Sequence, residues 1–478
     1  MSLVAAAVIS LALLLIMGMI PSVAVIGPRW IAITAAPIAG AVITSLASSA
    51  ALAVGGPMVL WCTLLSLVAG AVGAGHWIRR PDRRPWRALT VPSNLDRRTI
   101  GILAIGTIST LLAAAWSLRG LATETIGFDT RALWALRSGW LLHDHAQMLL
   151  DFKIREFLIG QSGYPPLVSA EGAFAWGVTG VHSARLEVVV VALVDMCGLL
   201  TVAGGLLMAA RSAALAARSR LAVLPALAGG IVAVSIVVIG AGTTTPFLTN
   251  GYADPMWSIC AAGAVLFGLI LPNRRPAQAT AALLLIAAGM SKQEGLFTAL
   301  CIIVLIVGRQ VGHLRSAPDR RRRIALVAGV AVTEVIAIAA WPTAIALTGS
   351  RQVTSPLSPS SQWPHRAHEV IQGFAPSLHV LVLALLISCV GGFVLSRVRR
   401  DVELGNDLWS WAGLMAGLCV VGGVLTTGSA AIVPWIEGSV HRVTQFPVLC
   451  GWLIVGAWLI TAAVGLAGER SAQAHRST

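Results

Sequence analysis

The sequence predicts an all-α, polytopic integral membrane protein of about 13 transmembrane helices with a helical first outer loop. Three observations carry that expectation. Hydrophobic residues make up 56% of the 478 residues, while charged residues make up 11%; a water-soluble domain carries roughly 25% charged residues. The apolar residues fall in runs long enough to cross a bilayer, which needs roughly 20 per span. The net charge of +14 is gathered into short connectors between those runs, as the positive-inside rule requires. Binding to nucleic acid, the usual reading of a strongly basic chain, is therefore excluded.

Spans are expected near 3–26, 31–50, 55–76, 100–118, 186–210, 221–241, 256–271, 278–290, 295–308, 324–347, 376–396, 407–427 and 446–467. The chain divides into an N-terminal three-span module at 1–80, a basic connector at 81–99, a core at 100–310 and a C-terminal four-span module at 311–478. Residues 278–290 and 295–308 read as a short pair, broken at 291–295 and unable to reach fully across. The N-terminus lacks a basic leader region and is expected to be a retained helix.

Basic connectors set the orientation. Residues 77–98 hold seven Arg against two Asp, and 309–323 hold six Arg against one Asp. With these inside, the segments 119–185, 242–255, 348–375 and 428–445 face outward, as does the break at 291–295. The stretch 165–181 contains Pro165, Pro166 and Glu171, so parity makes it a helix at the outer face and leaves 186–210 as the crossing. The protein is expected in the plasma membrane with its functional surface outside.

Lys153 and Lys292 are the only lysines. Arg in place of Lys, with abundant Ala, Gly and Val, is the composition of a GC-rich bacterial genome such as an actinobacterial one. The seven cysteines lie in or beside apolar runs without CxxC spacing; they read as small hydrophobes, and neither a disulfide framework nor a metal site is expected.

The outer segments hold the residues able to do chemistry. The first carries Glu124, Asp129, Arg131, Trp134, Arg137, Trp140, His143, Asp144 and His145. Asp129 is either the N-cap of a helix or a carboxylate held at the membrane surface as a general base. Histidines at i and i+2 point to different helix faces, so His143 and His145 read as a solvated loop. Asp254 stands before Pro255, which suits a first helical position; it is a helix cap or a second acid of the same cavity. Lys292 and Glu294 break a long apolar stretch. Charges at membrane depth are functional candidates when they line a cavity; the alternative is a short exposed turn. Glu437, His441 and Arg442 precede the last span. An outward Arg suits an anionic group through its planar fork, or meets ordinary lipid headgroups.

Taken together, Gly127-Phe128-Asp129 with Trp134, then Tyr164-Pro165-Pro166-Leu167, Gly251-Tyr252-Ala253-Asp254 and Ser291-Lys292-Gln293-Glu294-Gly295 resemble the GT-C superfamily of polyprenyl-phosphate-sugar-dependent glycosyltransferases. That superfamily includes protein O-mannosyltransferases, aminoarabinose transferases and actinobacterial envelope mannosyl- and arabinosyltransferases. The resemblance covers roughly 100–310, with weaker support at 437–447. It implies a GT-C-like fold, an extracytoplasmic site and inverting transfer of a sugar, mannose or arabinofuranose, from a polyprenyl phosphate. The acceptor would be an envelope glycan, glycolipid or protein, and membrane lipids are the other partner. It implies Asp129 as the base, Asp254 and Glu124 as acids of the site, and Lys292, Arg442 and Arg131 around the donor phosphate. Trp134, Tyr164, Glu294 and His441 would contact substrate. No cofactor is required; a divalent cation is compatible, but no ligand cluster demands one. The sequence departs from its relatives at Gly163-Tyr164, where several carry a charge before the Pro-Pro pair. The rival expectations are a multi-span transporter or lipid flippase of the cell envelope and an inert assembly subunit.

Overall fold

The computed structural model describes residues 1–27, 30–78, 97–143, 163–216, 223–244, 248–271, 275–314, 320–350 and 360–374, together with Leu386, Val390, Arg442, 444–453, 455–456 and 459–460. The expected spans at 376–396 and 407–427 and much of 446–467 lie outside these residues, as do Asp144, His145, Glu437 and His441. The described chain is helical throughout, without strands. Backbone groups in a bilayer core have no water to bond, so closed helical bonding is the solution for an apolar chain of this kind.

Among the described residues, six helical segments are long and apolar enough to cross a membrane: Leu3–Ile26, Trp30–Val54, Met58–His76, Ala104–Thr123, Ala184–Ala209 and Gln293–Gly312. Val327–Ile338 and Ala340–Leu347 form a seventh apolar stretch bent by 46°. The chain is a multi-pass helical membrane protein. Its peripheral helices α1 (Leu3–Ile26), α3 (Met58–Ile78) and α4 (Arg97–Ser117) expose Val4, Ile16, Leu67, Val72, Leu111 and Leu112. Such apolar surface is a liability in water and a natural face toward lipid.

The N-terminal helices join the core directly. Gly18 of α1 and Gly40 of α2 (Trp30–Val54) let the two backbones touch: a Cβ on Gly18 would stand 1.9 Å from the Ala36 carbonyl oxygen, and one on Gly40 2.2 Å from that of Leu14. Small residues drive helix association in lipid through such close approach. Helix α2 is buried along most of its length and packs on α7 (Leu167–Thr179), α8 (Ala184–Ala216) and α11 (Arg275–Ser291).

Beyond α4 a short turn, α5 (Gly120–Thr123), leads to a single π-helical turn at Thr130–Trp134 and then α6 (Ala135–His143). The described part of the first outer loop, up to His143, is largely helical, as its sequence predicts. Helix α7 has 13 residues, about 20 Å at 1.5 Å per residue, too short to span. It is enclosed from Leu167 to Trp176, so it is a core element and does not lie on the surface. Helix α9 (Val223–Thr244) leads to α10 (Asp254–Val265), which opens with Asp254 and Pro255 in its first turn.

One expectation is corrected. Helix α12 runs from Gln293 to Leu314, 22 residues, and is long enough to cross. Arg309 and Gln310 do not end it: Arg309 Nη1 donates to the Gly268 carbonyl at 3.1 Å and Gln310 Nε2 to Gln278 Oε1 at 2.6 Å. These bonds satisfy polar groups at the helix end, so the helix continues through residues that read as a connector. Helix α13 (Arg320–Ile338) meets α14 (Ala340–Leu347) at the bend. Pro342 is the cause, since its ring clashes with the carbonyl four residues earlier, on Ile338. The bend turns Trp341 into the core. Helix α15 (Trp363–Phe374) is the last long element described.

Candidate functional site

Two loops interlock to shape the site. Gly251 holds φ +84°, a left-handed conformation that suits glycine. The turn it makes presents the Asn250 carbonyl to two donors: Gly127 N at 3.2 Å and Thr130 Oγ1 at 2.7 Å. Gly127 permits the fit, because a Cβ there would stand 2.2 Å from the Tyr252 ring. Glu124 is drawn into the same seam, where it accepts a hydrogen bond from Thr249 Oγ1, and its backbone carbonyl accepts from Arg185 Nη2 at 3.0 Å.

The π-helical turn then sets Asp129 at its start. Asp129 makes no side-chain capping bond; its Oδ2 pairs with Arg442 Nη2 at 2.8 Å. Asp254 is the first residue of α10, whose N-cap position Ala253 holds. Its Oδ1 accepts from Lys292 Nζ at 2.8 Å. Its Oδ2 accepts from Arg442 Nε at 2.9 Å and pairs with Arg442 Nη2 at 2.8 Å. Lys292 also pairs with Glu294 at 3.2 Å. Lys292 is the single non-helical residue between α11 and α12. The tight reversal depends on Gly295, where a Cβ would meet the Ala288 carbonyl oxygen at 2.2 Å.

Four distant stretches thus contribute three carboxylates and two cations to one cluster. Tyr252 lies under Arg442, with the guanidinium carbon 4.6 Å from the ring centroid, and the Lys292 ammonium lies 5.9 Å from that of Tyr164. Trp134 packs on Tyr164 at 5.8 Å. Of the residues singled out in sequence, Asp129, Asp254, Lys292, Glu294, Arg442, Tyr164 and Trp134 come together. Arg131 is exposed and takes no part in the cluster's ion pairs. Tyr252 was not singled out; its signal was its place in Gly-Tyr-Ala-Asp, next to an acid.

The electrostatics favour full ionisation of the cations. Burial alone would pull the Lys292 ammonium down, yet the Asp254 and Glu294 carboxylates overcome it and hold it above its ordinary value. Burial opposes the Arg442 charge in the same way, and Asp254 and Asp129 again outweigh it. Burial, reinforced by Glu294, pushes the Tyr164 hydroxyl up to about 12, so it remains a neutral donor. Burial raises Tyr252 as well, with Asp129 adding to it. Near the cluster, Glu294 Oε2, Trp257 Nε1 and the Gln445 amide are buried without hydrogen-bond partners.

A second polar region lies behind α6. Glu171, Glu187 and Asp195 are fully buried. Among the described residues, both oxygens of Glu171 and of Asp195, and Oε1 of Glu187, have no hydrogen-bond partner. Ser138 Oγ lies 2.9 Å from the Trp134 and Ser169 carbonyls and 3.0 Å from Glu187 Oε2. A hydroxyl has one proton to give; with two carbonyls competing for it, the Glu187 contact is satisfied when the carboxyl carries the proton and donates. Gly172 makes room, since a Cβ there would stand 2.5 Å from Ser138 Oγ. Charges inside apolar runs are a readable signal, and Glu187 and Asp195 carried it unnoticed.

Among the described residues no group of three His, Cys, Asp or Glu side chains has metal-binding geometry. No family model, curated protein or solved structure matches this chain.

Proposed function

We propose that this protein is a membrane glycosyltransferase that moves a sugar, mannose or arabinofuranose, from a polyprenyl phosphate to an envelope glycan, glycolipid or protein acceptor outside the cell. The observation that carries the reading is the convergence of Arg442 and Lys292 on Asp254, with Asp129 paired to the outer edge of the same guanidinium. Such a donor keeps its tail in lipid and its charged head at the surface, where a buried Lys292 and a largely enclosed Arg442 beside the partly exposed Asp129 carboxylate fit it. Asp129 takes the proton from the acceptor hydroxyl. The hydroxyl oxygen bonds to the anomeric carbon as the bond from that carbon to the phosphate oxygen breaks. The electron pair leaves on the polyprenyl phosphate, which Lys292 and Arg442 stabilise.

Arg442 pairs with both Asp129 and Asp254, and the two contacts differ in burial. The Asp254 half of the contact is buried and doubly bonded, whereas the Asp129 half has side chains 19% and 29% exposed. Solvent access weakens an ion pair, so the Asp129 contact is the weaker of the two. An arriving phosphate therefore displaces Asp129 rather than Asp254, freeing the base only once the donor is bound. Asp129→Asn should abolish transfer, with a loss of about 10²-fold or more, while leaving expression and donor binding intact. Normal turnover in that variant would remove Asp129 as the base.

A second reading is a transporter or lipid flippase, and one observation favours it. Three buried carboxyls without cationic partners at Glu171, Glu187 and Asp195 are the kind of group that couples transport to protons. Substrate movement driven by a pH gradient in liposomes, lost in Asp195→Asn, would support this reading over the transferase.

A further inference from the structure

Arg137 is fully buried in α6, one turn beyond Trp134. Its Nη2 donates to the Tyr164 carbonyl at 2.9 Å. Its guanidinium carbon lies 5.2 Å from the centroid of Trp341, which the Pro342 bend carries inward, and 6.0 Å from that of Trp134. Among the described residues its Nε and Nη1 meet no acceptor, and neither does the indole Nε1 of Trp134. Among the described residues no carboxylate pairs with it.

The chemistry of this arrangement is one-sided. Guanidinium and indole nitrogens donate and never accept. Nε carries one N–H and Nη1 two, so with the indole there are four donors and no acceptor. A buried charge without a counter-ion costs several kcal/mol, and burial draws the guanidinium down to about 9, an extreme for arginine. Water would fill the donors but not neutralise the charge. What completes the site is an acceptor-only group that carries negative charge. The aromatic faces on either side exclude solvent, which strengthens an Arg–oxyanion contact.

We propose that Arg137, with Trp134 Nε1, forms a second oxyanion-binding site that takes a carboxylate or phosphate group. The site adjoins the Lys292–Arg442 cluster through Tyr164, whose carbonyl meets Arg137 and whose ring meets Lys292 and Trp134. It needs no assumption about glycosyl transfer. If transfer is the function, the anion belongs to the acceptor or to a neighbouring headgroup, because the donor phosphate is already placed.

The test uses full-length protein in nanodiscs of zwitterionic lipid, with thermal unfolding as the readout. Inorganic phosphate and glucuronate are titrated as probes at constant ionic strength, with glucose as the uncharged control, and a parallel set of nanodiscs contains phosphatidylglycerol. A saturable rise in Tm with either free anion, present in Lys292→Ala and lost in the Lys292→Ala/Arg137→Met double variant, is expected. A rise only with phosphatidylglycerol, also lost in the double variant, assigns the anion to a lipid headgroup. Because the charge is uncompensated, Arg137→Met without anion should unfold at the same or a higher temperature than wild type. Loss of the anion response in Lys292→Ala, or an equal response in the double variant and Lys292→Ala, overturns the site. So does a marked drop in Tm for anion-free Arg137→Met that Arg137→Lys restores without any anion response.

Discussion

Removing the Lys292 ammonium tests whether the cluster is held by its charges. Lys292 and Asp254 are both nearly enclosed and meet at 2.8 Å. Deleting one partner of a buried pair costs about 3–5 kcal/mol, because the other charge is left behind. Asp254 keeps both contacts to Arg442, so Lys292→Met should fall at the lower end, about 3 kcal/mol. Asp254→Asn should cost a similar amount, since Lys292 would retain only the partly exposed Glu294 at 3.2 Å. The double variant leaves no orphaned charge between them and should lose far less than the sum, with a coupling energy of about 2 kcal/mol. The assay is reversible unfolding of the purified protein by denaturing detergent, with all four species measured in one lipid and one salt. Effects that add to within about 0.5 kcal/mol would refute the reasoning, since the two side chains would then not depend on each other.

Two further outcomes follow from close contacts and burial. Gly295→Ala places a methyl against the Ala288 carbonyl oxygen and the Trp257 Cβ, neither of which yields easily. It should cost about 1–3 kcal/mol and lower donor use by shifting Lys292; wild-type stability would mean that the reversal relaxes freely. Glu171→Gln probes pH. Burial first, then Asp195 and Glu187, raise the Glu171 carboxyl well above its ordinary value. The folded state thus keeps a proton that the unfolded state gives up, and this contribution to stability is full below about pH 4 and declines as pH rises. Glu171→Gln should flatten the decline between pH 5 and 7 by up to about 1.4 kcal/mol per pH unit; an unchanged slope would place the titration elsewhere.

Much of the architecture was legible because lipid imposes a simple rule on sequence. Apolar run length marks the spans, and the helix break could be placed within residues 291–295, since charge is rare at that depth; the structure narrows it to Lys292. The helical first outer loop was readable from its Leu and Trp spacing. The extent of α12 was not, because Arg309 and Gln310 resemble a connector unless their bonds to Gly268 and Gln278 are known. The burial of α7 was also hidden: parity placed it outside the crossing set but gave no sign that α2, α6 and α8 enclose it. At the site, residue types were visible and partners were not. Asp254 and Arg442 are 188 positions apart, and no local pattern links them. Tyr252 and Arg137 escaped for the same reason, since their roles depend on what stacks beside them.

The central claim is that Lys292 and Arg442 receive the phosphate of a lipid-linked sugar beside Asp129. Purified protein in nanodiscs, titrated with a panel of polyprenyl-phosphate sugars with Asp129→Asn alongside, tests it most directly. The account predicts saturable binding of one donor, retained in Asp129→Asn while turnover is lost, and weakened in Lys292→Ala. Binding of none of the donors by wild-type protein would contradict it and shift the weight to transport.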